Sequence, residues 1–282
     1  MIKEIIDKLV ALLAVSALLA SCSESELWQN PQTEARDGYI MLNFKTEIPA
    51  MQEVVTRAVD PDGGGVQDMT LFCFDSYGLF ISTVKAGVTV QKPGPGEMEG
   101  TFKAEVPENT RTIHFLANQN MDEFKEDSFR NKSESEVMAV LEGSSGRMIY
   151  WGRFACDAGN DSNIAEQMAT SGNSVKLIRN HARISVDNPD NNGHIVITGF
   201  AVCNTNAFGT VAPHHPKKGF DFTWPSSDDP FVTLPVNDAK MSDITDVTSS
   251  MNQYVFECEN SADAPVSVIL RGHLPDQDEE KY

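Results

Sequence analysis

Few of the 282 residues have the types and spacing that chemistry needs. His214-His215 lie in Ala-Pro-His-His-Pro-Lys-Lys; neighbouring imidazoles bind metals, but no further ligand is near in sequence, and a Pro-bounded solvated loop is the simpler reading. Asp60-x-Asp62-Gly63 has the start of a calcium-loop spacing without its terminal Glu, so it reads as a turn. Asp228-Asp229 are adjacent in a loop, unlike the facing carboxylates of a glycosidase. Cys73, Cys156, Cys203 and Cys258 are widely and irregularly spaced with no CxxC pair, which argues against zinc. Their even number suits an oxidising compartment and allows three disulfide pairings. Cys73, inside an apolar run, reads as a small core residue. His114 and His181 sit in strand-like runs as packing residues, and the charges from Lys125 to Glu136 read as a solvated face. Phe220, Phe222 and Trp224 alternate; exposed they are a platform for sugars, buried they are the core face of a strand. No Gly-x-Ser-x-Gly, His-Glu-x-x-His or phosphate loop occurs, so the expectation is no enzyme, no cofactor and no metal site.

One residue has a clear chemical context. Residues 9–20 are an unbroken apolar and small run behind Lys3 and Lys8. Its length is too short for a bilayer core, which needs about 20 residues, but suits the apolar region of a secretory signal. It ends in Leu19-Ala20-Ser21-Cys22, which resembles a bacterial lipobox. The resemblance implies a signal peptide over residues 1–21 and a lipid on Cys22, whose acyl chains anchor the protein in a membrane. Ser23-Glu24-Ser25-Glu26 is similar to the surface-export signal of lipoproteins in the Bacteroidetes, though it also reads as a solvated linker.

The formal net charge of −19 repels nucleic acid, so no nucleic-acid partner is expected. A hydrophobic fraction of 40% suffices for real cores.

The elements that hold these residues are mostly short strands. Residues 39–44, 69–74, 79–84, 101–106, 112–117, 175–178, 182–186, 194–202, 254–256 and 266–270 carry apolar runs or alternation, separated by turn clusters such as Asp75-Ser76-Tyr77-Gly78. Helix is expected at residues 133–141, where Ser133 and Glu136 have capping-box spacing, and as a shorter turn at residues 164–169. Residues 170–174 read as a domain boundary. Many short strands with polar turns imply a mostly β, sandwich-type architecture.

Several of these segments, in order, resemble the fimbrillin superfamily of the Bacteroidetes. They are Thr56-Arg57-Ala58, then the strand closing on Phe74-Asp75-x-x-Gly78; the strand ending in Ala117-Asn118; Tyr150-Trp151-Gly152; Leu177-x-Arg179-x-x-Ala182-Arg183; and Tyr254-Val255-Phe256 with the strand at 268–272. The resemblance implies two transthyretin-like β-sandwich domains, and the acidic tail favours reading the second as truncated. The expected division is an N-terminal arm at 22–57, a first domain at 58–170 and a second at 171–282. It implies a structural or adhesive subunit of an outer-membrane-anchored surface fimbria, joined to other fimbrial subunits by strand exchange and facing host or bacterial surface ligands.

In such exchange an arginine-directed protease removes an N-terminal strand, and a neighbour's strand fills the groove. Residues 38–48, with Ile40, Leu42 and Phe44 alternating, are the candidate removable strand, and cleavage between Arg57 and Ala58 the candidate processing step. Arg36 competes, but a cut there leaves the strand in place. The acidic tail at residues 276–282 suits no donor strand: either the second domain is truncated, or this subunit receives a strand without giving one. The rival expectation is a surface glycan-binding lipoprotein, carried by Phe220, Phe222 and Trp224.

Overall fold

A computed structural model describes residues 35–48, 65–93, 98–121, 124–144, 147–186, 195–215, 230–238, 245–246, 252–275, 277 and 281. The chain is mostly β. Its strands are β1 (Tyr39–Glu47), β2 (Met69–Phe74), β3 (Phe80–Lys85), β4 (Gly87–Pro93), β5 (Met98–Pro107), β6 (Thr112–Ala117), β7 (Glu142–Ser144) and β8 (Tyr150–Ala155). Between β6 and β7 lie a 3-10 turn (Glu126–Phe129) and α1 (Glu134–Ala139); α2 (Ile164–Thr170) follows β8. Then come β9 (Ser174–Lys176), β10 (Ile178–Arg179), β11 (His181–Ser185), β12 (Val196–Cys203), β13 (Phe208–Thr210), β14 (Thr245–Asp246), β15 (Asn252–Phe256) and β16 (Ser267–His273).

Two sheets form the first sandwich. One runs β4-β5-β1-β9, the other β10-β8-β6-β2-β3. Between them Ile40, Leu42 and Phe44 of β1 and Phe102, Ala104 and Val106 of β5 meet Leu71 and Cys73 of β2 and Ile113 and Phe115 of β6. The second sheet is covered on its other face as well. Phe72, Phe74, Leu116 and Trp151 pack there against Phe129, Val137, Met138 and Leu141. That double cover explains why β2 and β6 are buried at every position and read as continuous apolar runs rather than alternating ones. The capping box expected at Ser133 and Glu136 is present at α1, and Asn163 with Glu166 makes a second one at α2.

The pairing of the first sandwich continues past residue 170, where the sequence suggests a boundary. β9 pairs with β1 and β10 with β8, and the chain crosses between the sheets at Leu177, whose N–H donates to the Glu47 carbonyl at 2.7 Å. From His181 on, the described strands form β11-β15 and β14-β12-β16, while β13 pairs with β7 and joins the two parts. The four cysteines from Cys73 onward are all free thiols, so none of the three disulfide pairings is formed.

Candidate functional site

The candidate strand β1 follows Gly38, whose φ of +78° is accessible to glycine without the strain of a Cβ. Its outward residues Tyr39, Lys45 and Glu47 are exposed, while Ile40, Leu42, Phe44 and Thr46 point into the sandwich. Antiparallel pairing with β5 runs from Tyr39 opposite Pro107 to Thr46 opposite Gly100. Phe44 stacks on Phe102 at 5.5 Å between centroids and meets Phe115 edge-on at 5.0 Å. On its other side β1 is joined only over Lys45 to Glu47, by the parallel strand β9. Along Tyr39 to Phe44 no strand among the described residues pairs with that edge; α2, whose Ile164, Ala165 and Met168 enter the same core, packs against β1. β1 is thus a core strand held by one long ladder and one short one.

Arg36 precedes β1 on the surface. Its guanidinium bonds Glu105 at 2.7 Å and lies 4.2 Å from the Tyr39 ring centroid. Beyond Ile48 the next described residue is Gly65, and there the body of the sandwich is fastened separately. Asn118, in the left-handed region at φ 64°, donates from its side chain to the carbonyls of Gly65 and Met148 and accepts from the Gln67 N–H. Its own N–H reaches the Asp68 carboxylate, which also pairs with Arg147 at 2.6 Å. The covalent link from β1 to the body is therefore the stretch 49–64, with each side of it anchored independently. Arg57 and Ala58 fall in that stretch, outside the described residues. So do Cys22 in its N-terminal segment and Phe220, Phe222 and Trp224 in theirs.

A second constellation was not expected from sequence. Glu134, at the first turn of α1, accepts from Arg153 Nε at 2.6 Å and Nη2 at 3.0 Å, and from His114 Nε2 at 2.7 Å. Trp151 Nε1 donates to His114 Nδ1 at 3.1 Å, so that nitrogen is an acceptor and the ring proton sits on Nε2. Burial holds the His114 pKa below its ordinary value even though the Glu134 hydrogen bond opposes it, in keeping with a neutral ring. Burial pushes the Glu134 carboxyl up, but the bonds from His114 and Arg153 outweigh it and bring the pKa down to about 2. Phe231 stacks on His114 at 5.7 Å. This group clamps α1 onto the second sheet. It corrects the reading of Lys125 to Glu136 as a solvated face, because the Glu134 side chain is turned inward. The signal in sequence was the capping box, which places residue 134 at the start of a helix lying over β6 and β8.

The remaining histidines do other work. His181 packs on Phe256 at 3.9 Å between centroids, and burial lowers its pKa to about 4. His214 binds the Val232 carbonyl through Nδ1, and no group of three metal-ligating side chains occurs among the described residues. Burial raises the Cys73 thiol to about 12, which keeps it protonated and unreactive.

Several motif residues now have physical roles. Asp75 Oδ1 accepts from the N–H groups of Tyr77 and Leu79, and Gly78 takes φ +73°, closing the β2–β3 hairpin. Tyr150 fills the inner core and Trp151 the outer one. A Cβ at Gly152 would lie 2.6 Å from the Lys176 carbonyl, so only glycine lets the crossing chain at 176–177 approach β8.

No protein-family model matches this chain, and no curated protein does. Solved structures similar to it include a protein described as a cell adhesion protein from Parabacteroides distasonis, at 13% identity over 84% of this chain and 76% of the other, TM-score 0.47. A second so described, from Bacteroides eggerthii, has 14% identity over 82% and 74%, TM-score 0.42. A third is the C-terminally truncated tip fimbrial protein Mfa3 from Porphyromonas gingivalis, with 14% identity over 79% and 71%, TM-score 0.46. Likenesses of this size carry no conclusion about activity.

Proposed function

We propose that the chain is a structural or adhesive subunit of a cell-surface fimbria, exported as a lipoprotein through Cys22 and assembled by exchange of β1. The observation that supports this reading most is the construction of β1. It supplies Ile40, Leu42 and Phe44 to the core, yet its C-terminal connection to the body is the stretch containing Arg57. Cleavage between Arg57 and Ala58 leaves β1 held by non-covalent contacts alone.

The energetics favour replacement over an empty groove. Burying a Leu, Ile or Phe side chain contributes about 1.5–3 kcal/mol, and each buried amide left unpaired on β5 costs about 1–3 kcal/mol. Three such side chains and one half-ladder are comparable with the ~5–15 kcal/mol that holds a domain folded. A subunit that lost β1 is therefore driven to accept another strand with apolar residues at alternate positions. In this account the lipid on Cys22 and β1 leave together, so lipidated precursors sit in the outer membrane and processed subunits enter the fibre.

The direct test is Arg57→Ala expressed in the native host. The full precursor is expected to reach the surface, with incorporation into fibres falling at least tenfold. Undiminished incorporation of uncleaved subunits would overturn the role of this arginine.

A further inference from the structure

Among the described residues the sheet β14-β12-β16 ends at β16, and the backbone shows which of its groups face the open side. Gly272 uses both its N–H and its carbonyl on Lys281, at 3.0 and 2.7 Å. Strand groups alternate in direction, so the N–H and carbonyl groups of Leu270 and Val268 face the same way. The neighbouring strand agrees: the Gln253 side chain bonds the Val202 N–H and the Phe200 carbonyl, and these residues lie opposite Val268 and Leu270. Phe200 and Val202 therefore turn their polar groups away from β16, as Val268 and Leu270 turn theirs away from β12.

The side chains on this edge are apolar. Phe200 and Val202 are 0% and 1% exposed, whereas Leu270 and Val268 on the same face are 45% and 48% exposed. Among the described residues, a buried apolar row runs to the edge of the sheet and stops uncovered. The usual guards are missing within β16, which has no Pro, no Lys and no bulge of its own; the register shift at Thr198 is on β12.

We propose that this edge is a self-association site, at which two copies of the chain pair β16 with β16 antiparallel about Ile269. In that register Val268 lies opposite Leu270 of the other copy, so both outward-facing positions bond each other and the four apolar side chains form one patch. The ends match too. Lys281 already occupies Gly272, and the partner strand begins at Ser267 because the Val266 N–H is held by Asn260. Charge is complementary. β16 has Arg271 and His273 and no acid, while Glu259 and Asp263 are exposed just before it. Antiparallel pairing brings the basic end of each strand beside the acidic loop of the other. Four main-chain bonds and a small patch make this a weak, reversible contact that leaves β1 untouched and does not depend on its exchange.

The test is amide hydrogen exchange of the purified full chain over a hundredfold range of concentration, with sedimentation alongside. Val268 and Leu270 amides are expected to gain protection as concentration rises, while Ile269, bonded to β12, stays protected throughout. The double variant Val268→Thr, Leu270→Thr keeps strand propensity and is expected to weaken association at least tenfold. Asp263→Lys is expected to weaken it as well, and salt to diminish the wild-type dimer. A chain that stays monomeric, a dimer unaffected by these substitutions, or a Leu270 amide already protected at high dilution would each overturn the proposal. The last result would mean that another segment of the same chain covers the edge.

Discussion

Glu134 answers both a buried guanidinium and a buried imidazole with one carboxylate. Glu134→Ala removes the carboxylate that bonds the buried Arg153 guanidinium, and the expected loss is about 3–5 kcal/mol in urea unfolding. The pH dependence follows in sign. The folded pKa of about 2 lies below the ordinary 4.5, so the carboxylate stabilises fully above pH 4.5, and that contribution is lost as pH falls towards 2. Glu134→Gln should flatten the unfolding profile in that window. His181 acts over a different range. Its folded pKa of about 4 is below the ordinary 6.5, so on acidification the unfolded chain takes up a proton first. Stability is therefore lost between pH 6.5 and 4, and His181→Phe, which keeps a ring against Phe256, should remove that slope in thermal melts. None of this was readable from residue types. His114 and His181 look alike in their strands, and only the fold decides which one meets a carboxylate.

At the scale of elements, patterning was informative where one face of a strand is wet. Ile40, Leu42 and Phe44 alternate because one face of β1 lines the core; on the other face Tyr39, Lys45 and Glu47 are exposed, although Met41 is buried. The capping box at Ser133 likewise marked α1 before any contact was known. Boundaries were less visible where tertiary pairing decides them. Residues 175–178 read as a strand opening a second unit, yet Val175 and Leu177 are buried in the first core because β9 and β10 join opposite sheets there. Residues 125–136 are rich in charge, and although the capping-box spacing marks Glu136, nothing local shows that Glu134 turns inward. The asymmetry of β1 gives a sharp expectation. Phe44→Ala opens a cavity beside Phe102 and Phe115 and should cost about 3–5 kcal/mol in denaturant titration, whereas Lys45→Ala, one residue on and exposed, should stay within about 0.5 kcal/mol.

At the scale of the whole molecule, the proposed acylation of Cys22 and cleavage at Arg57 combine with two observed features, the core strand β1 and a body fastened again at Gly65 by Asn118. Under the proposed function, export would place the chain at the surface, cleavage would separate the strand from the body, and the empty groove would drive assembly. The packing of Phe44 against Phe102 and Phe115 would keep the strand seated until another strand took its place. The most direct test is mass spectrometry of the N-terminus of the protein taken from assembled fibres and, separately, from the outer membrane. The account predicts Ala58 as the first residue in fibres and lipidated Cys22 in the membrane fraction. Fibres in which every subunit begins at lipidated Cys22 and retains residues 23–57 would contradict it.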